Sequence, residues 1–282
     1  MADNVYSYFP GCSLATTAKE NNTSLFHFAD RMGIELVELN DWNCCGSSSA
    51  HSINSELADQ LAMRNLSLAP ERRPLLIACP SCNLRLQHAQ MKLNTDANAR
   101  HTYRRLFGRE ADPDLTILHF FDLLDRMDWK QIDNQSANCL KGLTFAPYYG
   151  CMLARPPAMR RHKNYHGIME RIMTGLGAAA LTWGYASRCC GTFLSVVRPD
   201  VVAPMVRQIV GDAIRNNADC IVTACAMCHL NLELRSDPDN ALPIFHFSEI
   251  LALAMGDPNA NAYFERHLID PRPMLTRCHL GT

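Results

Sequence analysis

A chain of 282 residues, with 48% hydrophobic and 20% charged side chains, has the composition of a globular protein long enough for two domains or one duplicated unit. Its formal net charge of −1 supplies no long-range field to draw in nucleic acid or an acidic membrane surface, and no run of side chains reaches the roughly 18 apolar residues of a membrane span. The first residues show no basic segment followed by an apolar stretch, so a cytoplasmic protein without a nucleic-acid partner is expected.

Periodicity predicts strands and helices in alternation. Val5–Phe9 reads as a strand, Ser24–Met32 as part of an amphipathic helix and Ile34–Leu39 as a second strand, followed by a turn at Asn43-Cys44-Cys45-Gly46. Ser55–Leu68 reads as a helix, Leu75–Ala78 as a short buried strand and Cys82–Met91 as a further helix. The same order returns downstream: strand Leu143–Pro147, helix Tyr165–Gly175, strand Ala179–Trp183, helix Val201–Asn216, strand Cys220–Thr223 and helix His229–Arg235. Alternation of this kind predicts an α/β fold of two pseudo-symmetric repeats, each a small parallel sheet with flanking helices, divided as residues 1–138 and 139–282.

The thirteen cysteines carry the repeat. Cys12, Cys44-Cys45, Cys79 and Cys82 are spaced C-x31-CC-x33-C-x2-C, and Cys151, Cys189-Cys190, Cys225 and Cys228 are spaced C-x37-CC-x34-C-x2-C. Flanking residues match too: Pro10-Gly11-Cys12 answers Tyr149-Gly150-Cys151, Cys44-Cys45-Gly46 answers Cys189-Cys190-Gly191, and His119-Phe120 answers His246-Phe247. Cys139, Cys220 and Cys278 have no counterpart in the other copy and are read as ordinary packed side chains. Each matched cysteine follows the carboxyl end of a predicted strand or opens the next helix. In a parallel sheet those ends lie along one edge, so residues more than 30 apart converge.

In a reducing compartment, vicinal and C-x2-C pairs point to metal ligation rather than disulfides. A closed zinc site takes four ligands, and each set offers five. A vicinal pair is an awkward start for a tetrahedron around one small ion and a good grip on neighbouring irons, which favours iron–sulfur ligation and leaves zinc in one or both sites as the alternative. Gly46 and Gly191, which end the two turns, together with His51 and His229 nearby, are candidates for contact with a substrate. No side-chain nucleophile or triad stands out.

From Cys12 to about Leu251 these sets resemble the CCG cysteine-rich domains of the catalytic B-type component of heterodisulfide reductases, of methanogen type or of bacterial sulfur-oxidising type. The resemblance implies two non-cubane [4Fe-4S] clusters, each on one set of five cysteines, in two α/β halves that face each other. It implies a thiol or disulfide substrate, small or protein-bound, that is cleaved or formed by electrons from the clusters. Partners implied are a ferredoxin-like iron–sulfur C-type subunit and a flavin-containing A-type subunit. The competing functions are an electron-relay subunit of a flavin-dependent dehydrogenase complex and a zinc-binding structural subunit.

Overall fold

The computed structural model describes residues 4–47, 50–127, 129, 139–154 and 165–280. In the first half the chain runs β1 (Val5–Phe9), α1 (Gly11–Ala15), α2 (Lys19–Arg31), β2 (Glu35–Glu38), α3 (Ala50–Ile53), α4 (Ser55–Ser67), β3 (Leu75–Ile77), α5 (Pro80–Thr95), α6 (Ala97–Phe107), β4 (Ile117–His119) and α7 (Phe120–Arg126). The second half runs β5 (Thr144–Tyr148), α8 (Gly150–Ala154), α9 (Ile168–Gly175), β6 (Ala179–Ala180), α10 (Pro199–Arg215), β7 (Cys220–Thr223), α11 (Ala226–Arg235), β8 (Ile244–His246), α12 (Phe247–Ala254), α13 (Ala260–Phe264) and α14 (Arg272–Arg277).

The described strands form two parallel sheets of identical topology, β2-β1-β3-β4 and β6-β5-β7-β8. The central strands are short and buried on both faces, so they read as continuous apolar runs such as Leu75-Leu76-Ile77 and Cys220-Ile221-Val222. The register pairs Phe9 with Ile77 and Tyr148 with Thr223, which aligns the carboxyl ends of neighbouring strands. Two compact units result, one of residues 1–17 and 32–124, the other of 18–31 and 125–282. Helix α2, early in the sequence, therefore belongs to the second unit. There it lies along α12, with Ser24 Oγ 2.7 Å from Ser248 Oγ.

Helix ends follow local chemistry. Asn54 caps α4 by accepting the Leu57 N–H at 3.0 Å. Pro80 and Pro199 occupy first turns, where their missing N–H costs nothing. Helix α5 thus begins at Pro80, two residues ahead of the expected Cys82. The matched histidines prove to be caps: His119 Nδ1 accepts the Phe121 N–H while the Asp122 carboxylate accepts the His119 N–H at 2.7 Å. His246 and Glu249 repeat this, with the Glu249 carboxylate 2.7 Å from the His246 nitrogen. Strand β6 is shorter than the expected Ala179–Trp183. After the Leu181 N–H bonds the Phe145 carbonyl, the Trp183 indole N–H takes the Pro147 carbonyl at 2.9 Å, and a side chain replaces the ladder.

Candidate metal centres

In the first unit, five sulfurs arrive from three strand ends. Cys12 is the second residue of α1, directly after β1; Cys44 and Cys45 follow β2; Cys79 is the N-cap of α5 and Cys82 lies in its first turn. Cys44 Sγ is 3.7 Å from Cys12 Sγ, and Cys45 Sγ is 3.2 Å from Cys82 Sγ. Contacts of Cys44 with Cys45 and of Cys82 with Cys79 complete a line of five thiols. In the second unit Cys190 Sγ is 3.4 Å from Cys228 Sγ, Cys151 meets Cys189 and Cys228 meets Cys225, and the two contact groups are joined through the adjacent residues Cys189 and Cys190. All ten are free thiols.

Burial is graded along each line. Cys45, Cys79 and Cys82 sit inside the apolar core of their unit, as do Cys190, Cys225 and Cys228 in theirs, whereas Cys12 and Cys189 are exposed and Cys44 and Cys151 are half-buried. Each set is therefore closed on one side and open on the other.

Glycines let the backbone come this close. At Gly11, in the left-handed region, a Cβ would lie 2.8 Å from Cys82 Sγ, and at Gly150 it would lie 3.2 Å from Cys228 Sγ. Gly46 and Gly191 also take left-handed φ, and their N–H groups point at the sulfurs of Cys44, at 3.5 Å, and Cys189, at 3.3 Å. In α5 the Ser81 and Cys82 N–H groups face the Cys79 sulfur, as expected where a helix N-terminus meets a thiolate.

The electrostatics of the bare set are frustrated. Contact with Cys12 and Cys45 pulls the Cys44 thiol down to about 2, while the Cys44 charge pushes Cys45 up to about 12 and Cys12 higher still. Contact with Cys82 lowers Cys79, and Cys45, Cys79 and burial together raise Cys82. In the second set Cys228 lowers Cys190, and Cys189 raises Cys151. Only part of each set can ionise, because every thiolate forces its neighbour to keep a proton. A bound cationic centre removes that conflict by letting all five ionise, and the donor set fits one.

Two side chains that sequence reasoning missed hold the vicinal pairs. Buried Asn65, on α4, accepts the Asn43 N–H and donates to the Asn43 carbonyl, both at 2.9 Å, clamping the residue before Cys44. Buried Asn231, on α11, donates to the Cys190 carbonyl at 2.7 Å. Among the other candidates, His51 lies on α3 and its side chain falls outside the described residues. His229 is buried, with Nδ1 3.1 Å from Asn21 Nδ2 and its ring beside Glu233 and His267, so its nitrogens serve that group and not the cysteines. Cys220 lies within β7, and Cys278 Sγ packs 3.8 Å from Met274 Sδ.

Residues 6–87 and 145–233 each match the family described as CCG, "Cysteine-rich domain". Over 275 residues the chain is 25% identical to the 8-methylmenaquinol:fumarate reductase membrane anchor subunit of Wolinella succinogenes, covering 94% of this chain and 97% of that one. It is 23% identical over 269 residues to the B-type component of the ferredoxin:CoB-CoM heterodisulfide reductase of Methanosarcina mazei, covering 90% of each. A crystal structure of a hypothetical protein from Helicobacter pylori shares the fold with a TM-score of 0.75 at 14% identity, over 94% of this chain and 52% of that one. None of the helices among the described residues is long and apolar enough to cross a membrane.

Proposed function

This chain belongs to the CCG cysteine-rich domain family, whose domain it carries twice, and from that premise we propose that it is an iron–sulfur electron-transfer subunit of a heterodisulfide-reductase-like complex. Cys12, Cys44, Cys45, Cys79 and Cys82 hold one [4Fe-4S] cluster of non-cubane form, and Cys151, Cys189, Cys190, Cys225 and Cys228 hold the other. The observation that carries this reading is the line of five sulfurs, present in both units, with a buried end and an open end. When bound, such a centre supplies one-electron redox chemistry at iron, and two of them match the two electrons of a sulfur–sulfur bond.

The residues around each set do the rest. The C-x2-C thiols and the second thiol of the vicinal pair anchor the centre in an apolar wall that excludes water. The exposed thiols of Cys12 and Cys189 border the side from which a substrate thiol, disulfide or sulfane sulfur, small or protein-bound, approaches. The N–H groups of Gly46 and Gly191, aimed at sulfur, offset the charge that builds there on reduction. Electrons come from outside, because the sequence holds no C-x2-C-x2-C-x3-C run. A ferredoxin-like C-type subunit and a flavin-containing A-type subunit are the partners proposed to supply them.

The full-length resemblance to a subunit of a menaquinol:fumarate reductase favours a second reading, a relay whose partner performs the chemistry. Protein purified without oxygen separates them. About eight irons per chain with matching acid-labile sulfide supports both readings, and zinc alone would sink both. A paramagnetic signal that changes when a thiol is added to the oxidised protein supports sulfur chemistry, and an unchanged signal supports the relay.

A further inference from the structure

Behind the second set of cysteines, the second unit buries a polar group that the cysteine chemistry does not use. Helix α11 carries His229 and Glu233 one turn apart, and His267, from the segment after α13, closes against them. Their side chains are 4%, 3% and 0% exposed. Three atoms converge: His229 Nε2 is 3.6 Å from Glu233 Oε1, His267 Nδ1 is 3.1 Å from the same oxygen, and all three lie within 4.8 Å of one another. The two contacts are at ion-pair distance, yet neither has the geometry of a well-formed hydrogen bond, so the three atoms meet without one. Three buried polar atoms that converge without a well-formed hydrogen bond are costly unless a shared cation, a proton or a metal ion, holds them together.

We propose that His229 Nε2, Glu233 Oε1 and His267 Nδ1 bind a single zinc ion, separate from the cysteine centres and ligated through nitrogen and oxygen alone. Ligands about 2.0–2.1 Å from a tetrahedral zinc stand about 3.3 Å from one another, which the 3.1 and 3.6 Å separations bracket. The outer atoms are arranged as such a site needs. His267 Nε2 is 3.0 Å from Glu249 Oε1, the carboxylate–histidine pairing that turns the opposite nitrogen's lone pair to a metal. His229 Nδ1 faces the Asn21 amide, whose Oδ1 is itself buried without a partner; with the amide turned over, Oδ1 accepts the Nδ1–H and leaves Nε2 free to ligate. The second Glu233 oxygen accepts the Leu268 N–H at 3.0 Å, which leaves Oε1 for the metal. Phe245 and Phe264 wall in the His267 ring. A divalent ion balances the two carboxylates Glu233 and Glu249, while burial and the Glu249 charge push the neighbouring Glu20 carboxyl up, toward its neutral form. The ion would tie the segment at His267 to α11, the helix that carries Cys228.

The test uses full-length protein made in zinc-supplemented medium and purified without oxygen. About one tightly held zinc per chain is expected, with zinc-edge X-ray absorption showing nitrogen and oxygen neighbours, imidazole scattering and no sulfur. His267→Gln should abolish zinc retention with iron unchanged, and Glu249→Gln should weaken zinc binding about 10–100-fold in competition with a chelator. Absence of zinc from the wild type, sulfur in its coordination shell, or undiminished zinc in His267→Gln would overturn the assignment. The wild-type absorption measurement stands even if a variant fails to fold, and iron content reports separately on the cysteine centres.

Discussion

Cys45 Sγ lies 3.2 Å from Cys82 Sγ, so the second thiol of a vicinal pair touches the second thiol of a C-x2-C across 37 residues of chain. The repeat of this contact, Cys190 against Cys228, measures 3.4 Å. It joins a vicinal pair to a C-x2-C, and Cys12, 3.7 Å from Cys44, adds the fifth sulfur of the site.

Replacing Cys45 with Ser is therefore expected to remove the first centre while the second stays intact, so that iron per chain falls by about half. Cys190→Ser should do the reverse. Iron and acid-labile sulfide analysis, with paramagnetic resonance of each variant, checks this. Full metal content in one member of each vicinal pair would mean that four sulfurs suffice, as they do for zinc.

Gly11 and Gly33 offer a controlled pair, since both have left-handed φ but only Gly11 faces a ligand. Gly33→Ala meets nothing within 4 Å and should cost about 1 kcal/mol from backbone strain alone, with metal content unchanged. Gly11→Ala puts a methyl 2.8 Å from Cys82 Sγ and should lose the first centre as well. Denaturation midpoints together with iron analysis separate the two effects.

Asn65→Ala deletes both arms of the clamp on Asn43 and leaves a part-buried N–H and a part-buried carbonyl without these partners. A loss of about 1–3 kcal/mol is expected. The first centre should also leave the protein faster under chelation, whereas the second should not change. Time-resolved iron release in wild type and variant measures it.

Asp257 gives a pH signature in the second unit. Burial pushes its carboxyl up, but hydrogen bonds from the Tyr263 hydroxyl and the Asn259 N–H, with His27 Nδ1 at 2.6 Å, outweigh burial and hold it below the usual range. A depressed folded value means the stabilisation is complete above the ordinary carboxylate pKa of about 3.9 and is lost as pH falls through the folded one. Asp257→Asn should therefore cost about 1–2 kcal/mol near neutral pH, and the gap from wild type should close on acidification. Urea titrations at a series of pH values would show it, and a constant gap would contradict it.

The ten cysteines and the duplicated parallel α/β order were legible because ligand chemistry and repeat are written in residue type and spacing. Strands β3 and β7 were legible as short apolar runs. Strands β4 and β8 were not, since each offers only two apolar residues before its histidine. The histidines that end them were visible as a repeat but not as helix starts, because His is outside the usual set of capping residues. Asn65 and Asn231 left no local signal: each matters only through a partner that folding brings to it. The group of His229, Glu233 and His267 was half visible, for an i,i+4 His and Glu on a helix is common, and the third member comes from 34 residues beyond Glu233.

Helix α2 bears on how the protein is made. Ser24 bonds Ser248 across 224 residues, and the buried face of Leu25, Phe28 and Ala29 has its home in the second unit. During synthesis that apolar face leaves the ribosome long before α12 exists to receive it. The second unit's core therefore closes only after α12 has been made, and until then α2 is a natural client for a chaperone.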